Sequence, residues 1–171
     1  METLAIFKKY LQDESLVLKL NSDWGSNSGN HRNQIKEQIP KNGFTSVSHC
    51  PSLGGFAAST SFPIGFDVEE TKRVQVETVA RISTENESQM APSPGLLWAA
   101  KEACFKALQG PDQPQVVSHI QINGWQGLVS NQDNQIFQFH AQKNNNSMIS
   151  DSWGIAIQSP THVLAIFLLR K

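Results

Sequence analysis

Cysteine is scarce, with Cys50 and Cys104 the only two in 171 residues. That excludes a disulfide framework and fits a reducing compartment. No Cys/His zinc spacing and no glycine-rich phosphate loop is present. No apolar run approaches the ~18 residues needed to cross a bilayer. The N-terminus, METLAIFKKYLQDE, turns charged too early for a secretory signal, so the expectation is a cytoplasmic chain without a membrane partner. Charge of one sign is also missing. Fourteen Lys+Arg against fifteen Asp+Glu give a net charge of −1, which excludes the broad basic face of a general nucleic-acid binder. What remains is 39% apolar and only 17% charged, too apolar for disorder. The length suits one compact domain or two small, intimate halves.

Helix and strand periods alternate along the chain. Leu4, Phe7 and Leu11 form a helical stripe in residues 3–13, and LVLKL (16–20) reads as a strand. Asn21–Gly29 is turn chemistry, and His31–Gln38 reads as a helix with Arg32 and Lys36 at i, i+4 before Pro40. FTSVSH (44–49) and GFAAST (55–60) suit a strand pair. Thr71–Ile82 reads as helical, and Thr84-Glu85-Asn86-Glu87 matches a capping box. Ser93-Pro94 opens a helix with Leu97, Ala100, Cys104, Ala107 and Leu108 on one stripe, ended by Gly110-Pro111. VSHIQI, QIFQFHA, SWGIAIQ and HVLAIFLL then form a β-meander broken by SNQDNQ and KNNNS. The expected class is α+β.

Two segments carry charge in a pattern that a fold has to accommodate. In the strand reading of Ile64–Glu69, Ile64, Phe66 and Val68 share a burial face, while Gly65, Asp67 and Glu69 share the other. Two carboxylates on one face repel unless a cation sits between them, and a hard divalent ion such as Mg²⁺ is the economical one. Gly65 would let a ligand approach the backbone. A solvated edge strand would show the same alternation. In the second segment, Trp98–Lys106, Glu102 and Lys106 lie at i, i+4 with Lys101 beside them. They read either as a surface ion pair or as a third carboxylate with two phosphate-holding lysines. His119, His140 and His162 show no ligand spacing, and Cys104 falls on the core stripe. Trp24, Trp125 and Trp153 read as packing residues.

Taken together, Gly65-Phe66-Asp67-Val68-Glu69 and Trp98-Ala99-Ala100-Lys101-Glu102-Ala103-Cys104-Phe105-Lys106 resemble the 4′-phosphopantetheinyl transferase superfamily, with its G-[IV]-D-x-E strand and W/F-x-x-K-E-[AS]-x-x-K helix. Phe66 stands where a β-branched residue is usual. Phe44-Thr45-Ser46-Val47-Ser48-His49 is similar to the F-N-[IL]-S-H strand of the larger, surfactin-synthetase-type members.

The resemblance implies two pseudo-symmetric α+β halves, here a reduced N-terminal half (residues 1–61) and a C-terminal half (62–171) carrying the motifs. It implies transfer of the 4′-phosphopantetheine arm of coenzyme A to a serine of an acyl or peptidyl carrier protein, releasing 3′,5′-ADP. Fatty acid, polyketide and peptide synthesis are the pathways such carriers serve. Asp67, Glu69 and Glu102 would hold Mg²⁺, with Asp67, Glu102 and Lys106 at the reaction centre. Lys101 and Lys106 would contact the pyrophosphate of coenzyme A, and Ser48 and His49 its phosphates. One of Arg32, Lys36 and Lys41 would take the 3′-phosphate. The base is either Glu102 or a water on the cation. Monomer and homo-oligomer both stay open. A non-catalytic domain that binds coenzyme A or a carrier protein on the same scaffold is the competing function, and a structural α+β protein with coincidental motifs is a third.

Overall fold

A computed structural model describes residues 3–27, 31–109, 113–130, 133–143, 149 and 151–170. Helix α1 (Thr3–Leu11), strand β1 (Val17–Asn21), a 3-10 turn at Ser22–Trp24 and α2 (His31–Gln38) come first. Strands β2 (Phe44–His49), β3 (Gly54–Ser59) and β4 (Ile64–Glu70) follow, then α3 (Val76–Ala80), α4 (Glu85–Met90) and α5 (Pro94–Ala107). A second 3-10 turn, Val117–His119, leads into β5 (Ile120–Ser130), β6 (Gln135–Lys143), β7 (Trp153–Gln158) and β8 (His162–Leu168). The class is α+β, with helices in the middle and a meander at the end, as the periodicities predict.

Several elements are set by local chemistry. Ser93 caps α5 by accepting from Leu96 N, and Pro94 supplies the first helical position. Thr84 and Glu87 form the reciprocal capping box of α4. The predicted helix over Thr71–Ile82 shrinks to Val76–Ala80, because Thr71 N bonds Thr161 O and Arg73 N bonds Glu70 O in a turn leaving β4. Strand β5 runs on through Trp125 to Ser130, past the expected end of VSHIQI, paired with β6 across two register shifts. The Gly110-Pro111 stop and most of the KNNNS turn lie outside the described residues.

The strands form two antiparallel sheets, a three-stranded one in the order β1-β3-β2 and a five-stranded one in the order β4-β8-β7-β6-β5. The larger sheet is covered on both faces. Val163, Ala165 and Phe167 of β8 join the core under α5, while Leu164, Ile166 and Leu168 join the core with α1 and residues of β1 and β3. That double burial is why HVLAIFLL is apolar without alternation. A third, smaller cluster of Trp24, Ile35, Phe56 and Ala58 lies between α2 and the three-stranded sheet.

The two sheets meet where β2 runs beside β4. There a side chain replaces the ladder. Ser46 Oγ accepts from Phe66 N at 2.9 Å and donates to Phe66 O at 3.5 Å, and Ser46 is buried. A buried strand edge cannot leave its amide unpaired, so this hydroxyl satisfies it. Among the described residues, no helix is long and apolar enough to cross a membrane.

Candidate functional site

Over this seam, between α2 and α5, lies a cavity of about 540 Å³. Its walls come from both parts of the chain. Ile35, Lys36 and Ile39 belong to α2 and the turn after it, Val47, Ser48 and His49 to β2, Asp67 to β4, and Trp98, Glu102 and Lys106 to α5. Ile35, Ile39 and Val47 give the α2 and β2 side an apolar surface, while Asp67, Glu102 and Lys106 make the opposite side ionic.

The ionic wall is built by strand and helix periods. Ser48 lies two residues beyond Ser46, so both hydroxyls face β4. Ser48 Oγ donates to Asp67 Oδ1 at 2.7 Å. On α5, Trp98, Glu102 and Lys106 recur at i, i+4, i+8 and face the cavity together. Lys106 does not pair along its helix with Glu102. Its ammonium reaches across to Asp67 Oδ1 at 2.7 Å, Ser48 Oγ at 3.1 Å and the Phe66 carbonyl at 3.2 Å. Three donors meet three acceptors, so this lysine is fully engaged.

Burial pushes the Asp67 carboxyl above the usual carboxylate range, although Lys106 and Ser48 pull it back. Glu102 is also raised, first by burial and then by the charge of Asp67, with Lys106 opposing. Two neighbouring acids are thus held up, mainly by their burial in the cavity wall.

The structure brings together Lys36, Ser48, His49, Asp67, Glu102 and Lys106, all expected at the site. It corrects the expectation for Lys101. That side chain is fully buried, and its Nζ pairs with Glu87 Oε1 at 2.7 Å and donates to the Ile120 carbonyl. Leu97, Lys101, Cys104 and Leu108 lie at i, i+4, i+7 and i+11, so Lys101 belongs to the core stripe rather than beside Glu102. Burial lowers its pKa, and the Glu87 carboxylate resists that shift.

Glu69 does not line the cavity. Its carboxylate receives Arg73 Nη1 at 3.1 and 3.2 Å, so Asp67, Glu69 and Glu102 are not drawn together as a triad. Gly65 is not open to a ligand either. A β-carbon there would collide with the Ala103 carbonyl and sit 2.6 Å from Ala107 N, so the glycine admits α5 against β4. Lys41 is exposed and outside the lining, and the side chain of Arg32 lies outside the described residues.

Sequence reading missed the apolar wall. Ile35 on α2 and Ile39 just after its end stand at i, i+4, a signal that was available. The opposite directions expected of His49 and Cys50 hold, with His49 on the cavity and Cys50 in the core. Cys104 is core, and Trp24 stacks on Phe56. Trp125 packs against Phe137 and Phe139, and the Trp153 indole donates to Tyr10 O.

The family model of the 4′-phosphopantetheinyl transferase superfamily matches residues 63–160, more than half of the 171-residue chain. The match contains Asp67, Glu102 and Lys106 but none of the α2 and β2 wall. No curated protein matches the chain at a significant level.

Proposed function

The chain belongs to the 4′-phosphopantetheinyl transferase superfamily, and from that membership we propose that it transfers the 4′-phosphopantetheine arm of coenzyme A to a serine of an acyl or peptidyl carrier protein, in a Mg²⁺-dependent reaction that releases 3′,5′-ADP. The observation that carries the reading is the convergence of Ser48, Asp67 and Lys106 from three elements, with Glu102 on the wall of the same cavity.

The donor set fits a hard divalent cation. Asp67 is raised by burial, and Glu102 by burial and then by the charge of Asp67, a state that an oxygen-liganded cation relieves. These two would hold the ion, and Glu69, on the same face of β4 as Asp67, would join them by releasing Arg73. When bound, Mg²⁺ neutralises charge on the pyrophosphate and on the departing phosphate.

The remaining work is positioning and electrostatics. Lys106 exchanges one of its present acceptors for a pyrophosphate oxygen and keeps its place through the others. Ser48 and His49 hold phosphate oxygens along β2. Lys36 stands at the rim, with Arg32 and Lys41 on the same basic stretch, to take the 3′-phosphate. Ile35, Ile39, Val47 and Trp98 exclude water from the organic part of the coenzyme. The serine proton goes either to the Glu102 oxygen that the cation leaves free or to a water on the cation. The serine oxygen then bonds to the pantetheine-bearing phosphorus as the bond to 3′,5′-ADP breaks.

Both walls come from one chain, which supports a reduced N-terminal half (1–61) closing the cleft of the C-terminal half (62–171). The sheets of three and five strands are unequal, as a reduced half of a pseudo-symmetric pair would be.

The test is incubation with apo-carrier protein, coenzyme A and Mg²⁺, read by mass spectrometry as the phosphopantetheine increment on the carrier. Wild type should modify at least one carrier, and Asp67→Ala and Glu102→Ala should lose transfer by more than about a hundredfold while keeping their circular dichroism spectrum. Turnover retained in both variants overturns the site assignment. Coenzyme A binding with no transfer to any carrier class overturns the enzymatic reading in favour of a binding domain.

A further inference from the structure

Outside the cavity, three chemically different ligand groups meet at the end of the seam. Cys50 Sγ, a Glu70 carboxylate oxygen and a His162 ring nitrogen all lie within 4.8 Å of one another. None of the three lines the cavity over Asp67. Each comes from a different element: Cys50 follows β2, Glu70 ends β4 and His162 opens β8. Glu70 and His162 are cross-strand partners in the β4–β8 ladder, so sheet register sets two of the ligands side by side. The approach of β2 to β4 supplies the third.

Local hydrogen bonds orient these groups. His162 Nδ1 lies 2.9 Å from Thr161 Oγ1, which turns Nε2 toward the cluster. Nε2 is 3.0 Å from Ser52 Oγ, whose hydroxyl donates to Glu70 Oε1 at 2.6 Å. This is not a serine–histidine–carboxylate relay. The carboxylate holds the serine rather than the far nitrogen of the ring, so it cannot orient or stabilise the imidazole as a relay requires. Cys50 donates weakly to the Leu53 carbonyl at 3.4 Å and is in no disulfide.

We propose that Cys50, Glu70 and His162 form a binding site for a transition-metal ion of the zinc class, separate from the hard-cation carboxylates of the cavity. A thiolate with an imidazole and a carboxylate is a donor set that such ions take and that Mg²⁺ does not favour. A tetrahedral shell with bonds of about 2.0–2.3 Å spaces its ligand atoms by about 3.3–3.8 Å, so side chains already within 4.8 Å need only a small inward rotation. The Thr161 contact on Nδ1 supplies the second hydrogen bond that steadies a ligating histidine. On binding, Cys50 gives up the Leu53 carbonyl and its thiol proton passes to solvent. The ion then ties the end of β2 to the β4–β8 ladder. Ser48 and Asp67 lie a few residues back on those same strands, so the bond between them is steadied.

The experiment uses metal-free full-length chain titrated with Zn²⁺ by calorimetry and with Co²⁺ by absorption spectroscopy. Expected are a thiolate charge-transfer band in the near ultraviolet that saturates at one thiolate-bound Co²⁺ per chain, and a thermal midpoint that rises with Zn²⁺. Cys50→Ser should abolish the band. His162→Gln, at a half-buried position that tolerates a polar side chain, should weaken Zn²⁺ by at least about tenfold and carries the test if the buried Cys50 variant does not fold. Asp67→Asn should leave the Co²⁺ spectrum unchanged. No thiolate band in wild type, or Zn²⁺ affinity equal in wild type and His162→Gln, overturns the site. None of these readouts involves transfer, so they stand apart from the fate of the enzymatic proposal.

Discussion

Lys101 makes the sharpest prediction, because the sequence motif and the structure assign it opposite jobs. Its ammonium is 0% exposed, 2.7 Å from a Glu87 carboxylate that is itself 5% exposed. Glu87 Oε1 also accepts from Ile122 N at 2.9 Å, and Oε2 accepts from Thr84 N at 2.9 Å and Thr84 Oγ1 at 3.2 Å. The pair thus joins α4, α5 and β5. Lys101→Met leaves a buried carboxylate without its counter-charge and the Ile120 carbonyl without its side-chain donor. Removing one partner of such a pair costs about 3–5 kcal/mol. At about 2–4 °C per kcal/mol for a chain of this size, the melting midpoint should fall by about 6–20 °C. Glu87→Ala should cost at least as much, since it also leaves the Thr84 and Ile122 amides without the carboxylate. The double variant Glu87→Gln/Lys101→Met should recover most of the loss, because no unpaired charge is left and the amide still caps Thr84. Calorimetry on wild type, Glu87→Gln, Lys101→Met and the double variant gives the cycle. Transfer assays well below the lowest midpoint should find KM for coenzyme A in Lys101→Met within about threefold of wild type. The reasoning is refuted if Lys101→Met is as stable as wild type and KM rises a hundredfold, which would return Lys101 to the pyrophosphate.

Glu102 gives a pH signature. Its carboxyl is raised in the folded protein, so folding favours the protonated form and stability falls as pH rises from the ordinary carboxylate range, near about 4, through the raised folded value. Metal-free Glu102→Gln should therefore be more stable than wild type at pH 7 and equal to it at acid pH, and Mg²⁺ should shrink the difference. Urea unfolding across pH checks this, and a gap independent of pH would sink it. Gly65→Ala should destabilise by about 1–3 kcal/mol or more, since the new methyl meets the Ala103 carbonyl and has no way out between β4 and α5. A denaturation midpoint equal to wild type would show that α5 can lift from the strand. Ser46→Ala should cost about 1–3 kcal/mol by orphaning the Phe66 amide at the seam, and that amide should exchange faster with deuterium. Unchanged protection at Phe66 would mean that the hydroxyl is not its partner.

Much of the fold is written in local periods. Ser93-Pro94 and Thr84…Glu87 announce their helices because caps are short-range chemistry. The meander shows through turn clusters between β-branched runs. What fails is any inference that needs to know what lies above a surface. In β4, Gly65 and Asp67 alternate with Ile64, Phe66 and Val68, and alternation alone suggests one wet face. Both faces are buried, because α5 covers the second. The clue sits elsewhere in the sequence: β8, the neighbour of β4, is apolar on both faces, so the sheet they share must be covered twice. The gathering of Cys50, Glu70 and His162 has no comparable clue, since it depends on a cross-strand register and a seam that only the assembled sheets define.

The split between Lys101 and Glu102 follows from helix geometry. Adjacent residues on a helix point about 100° apart, so a helix packed on a sheet along one side and on a cavity along another sends neighbours to different places. A motif that names both residues is compatible with one serving the reaction and the other holding the helix that presents it. Leu97, Cys104 and Leu108 decide which is which: Lys101 falls among them, while Glu102 falls between Trp98 and Lys106 on the cavity side. The charged residue inside an apolar stripe needs a buried counter-charge, and the carboxylate of the α4 capping box provides it. Orientation of the ionic wall is therefore coupled to the start of α4, remote from the cavity, and damage at Glu87 should reach Glu102 and Lys106 through the pose of α5.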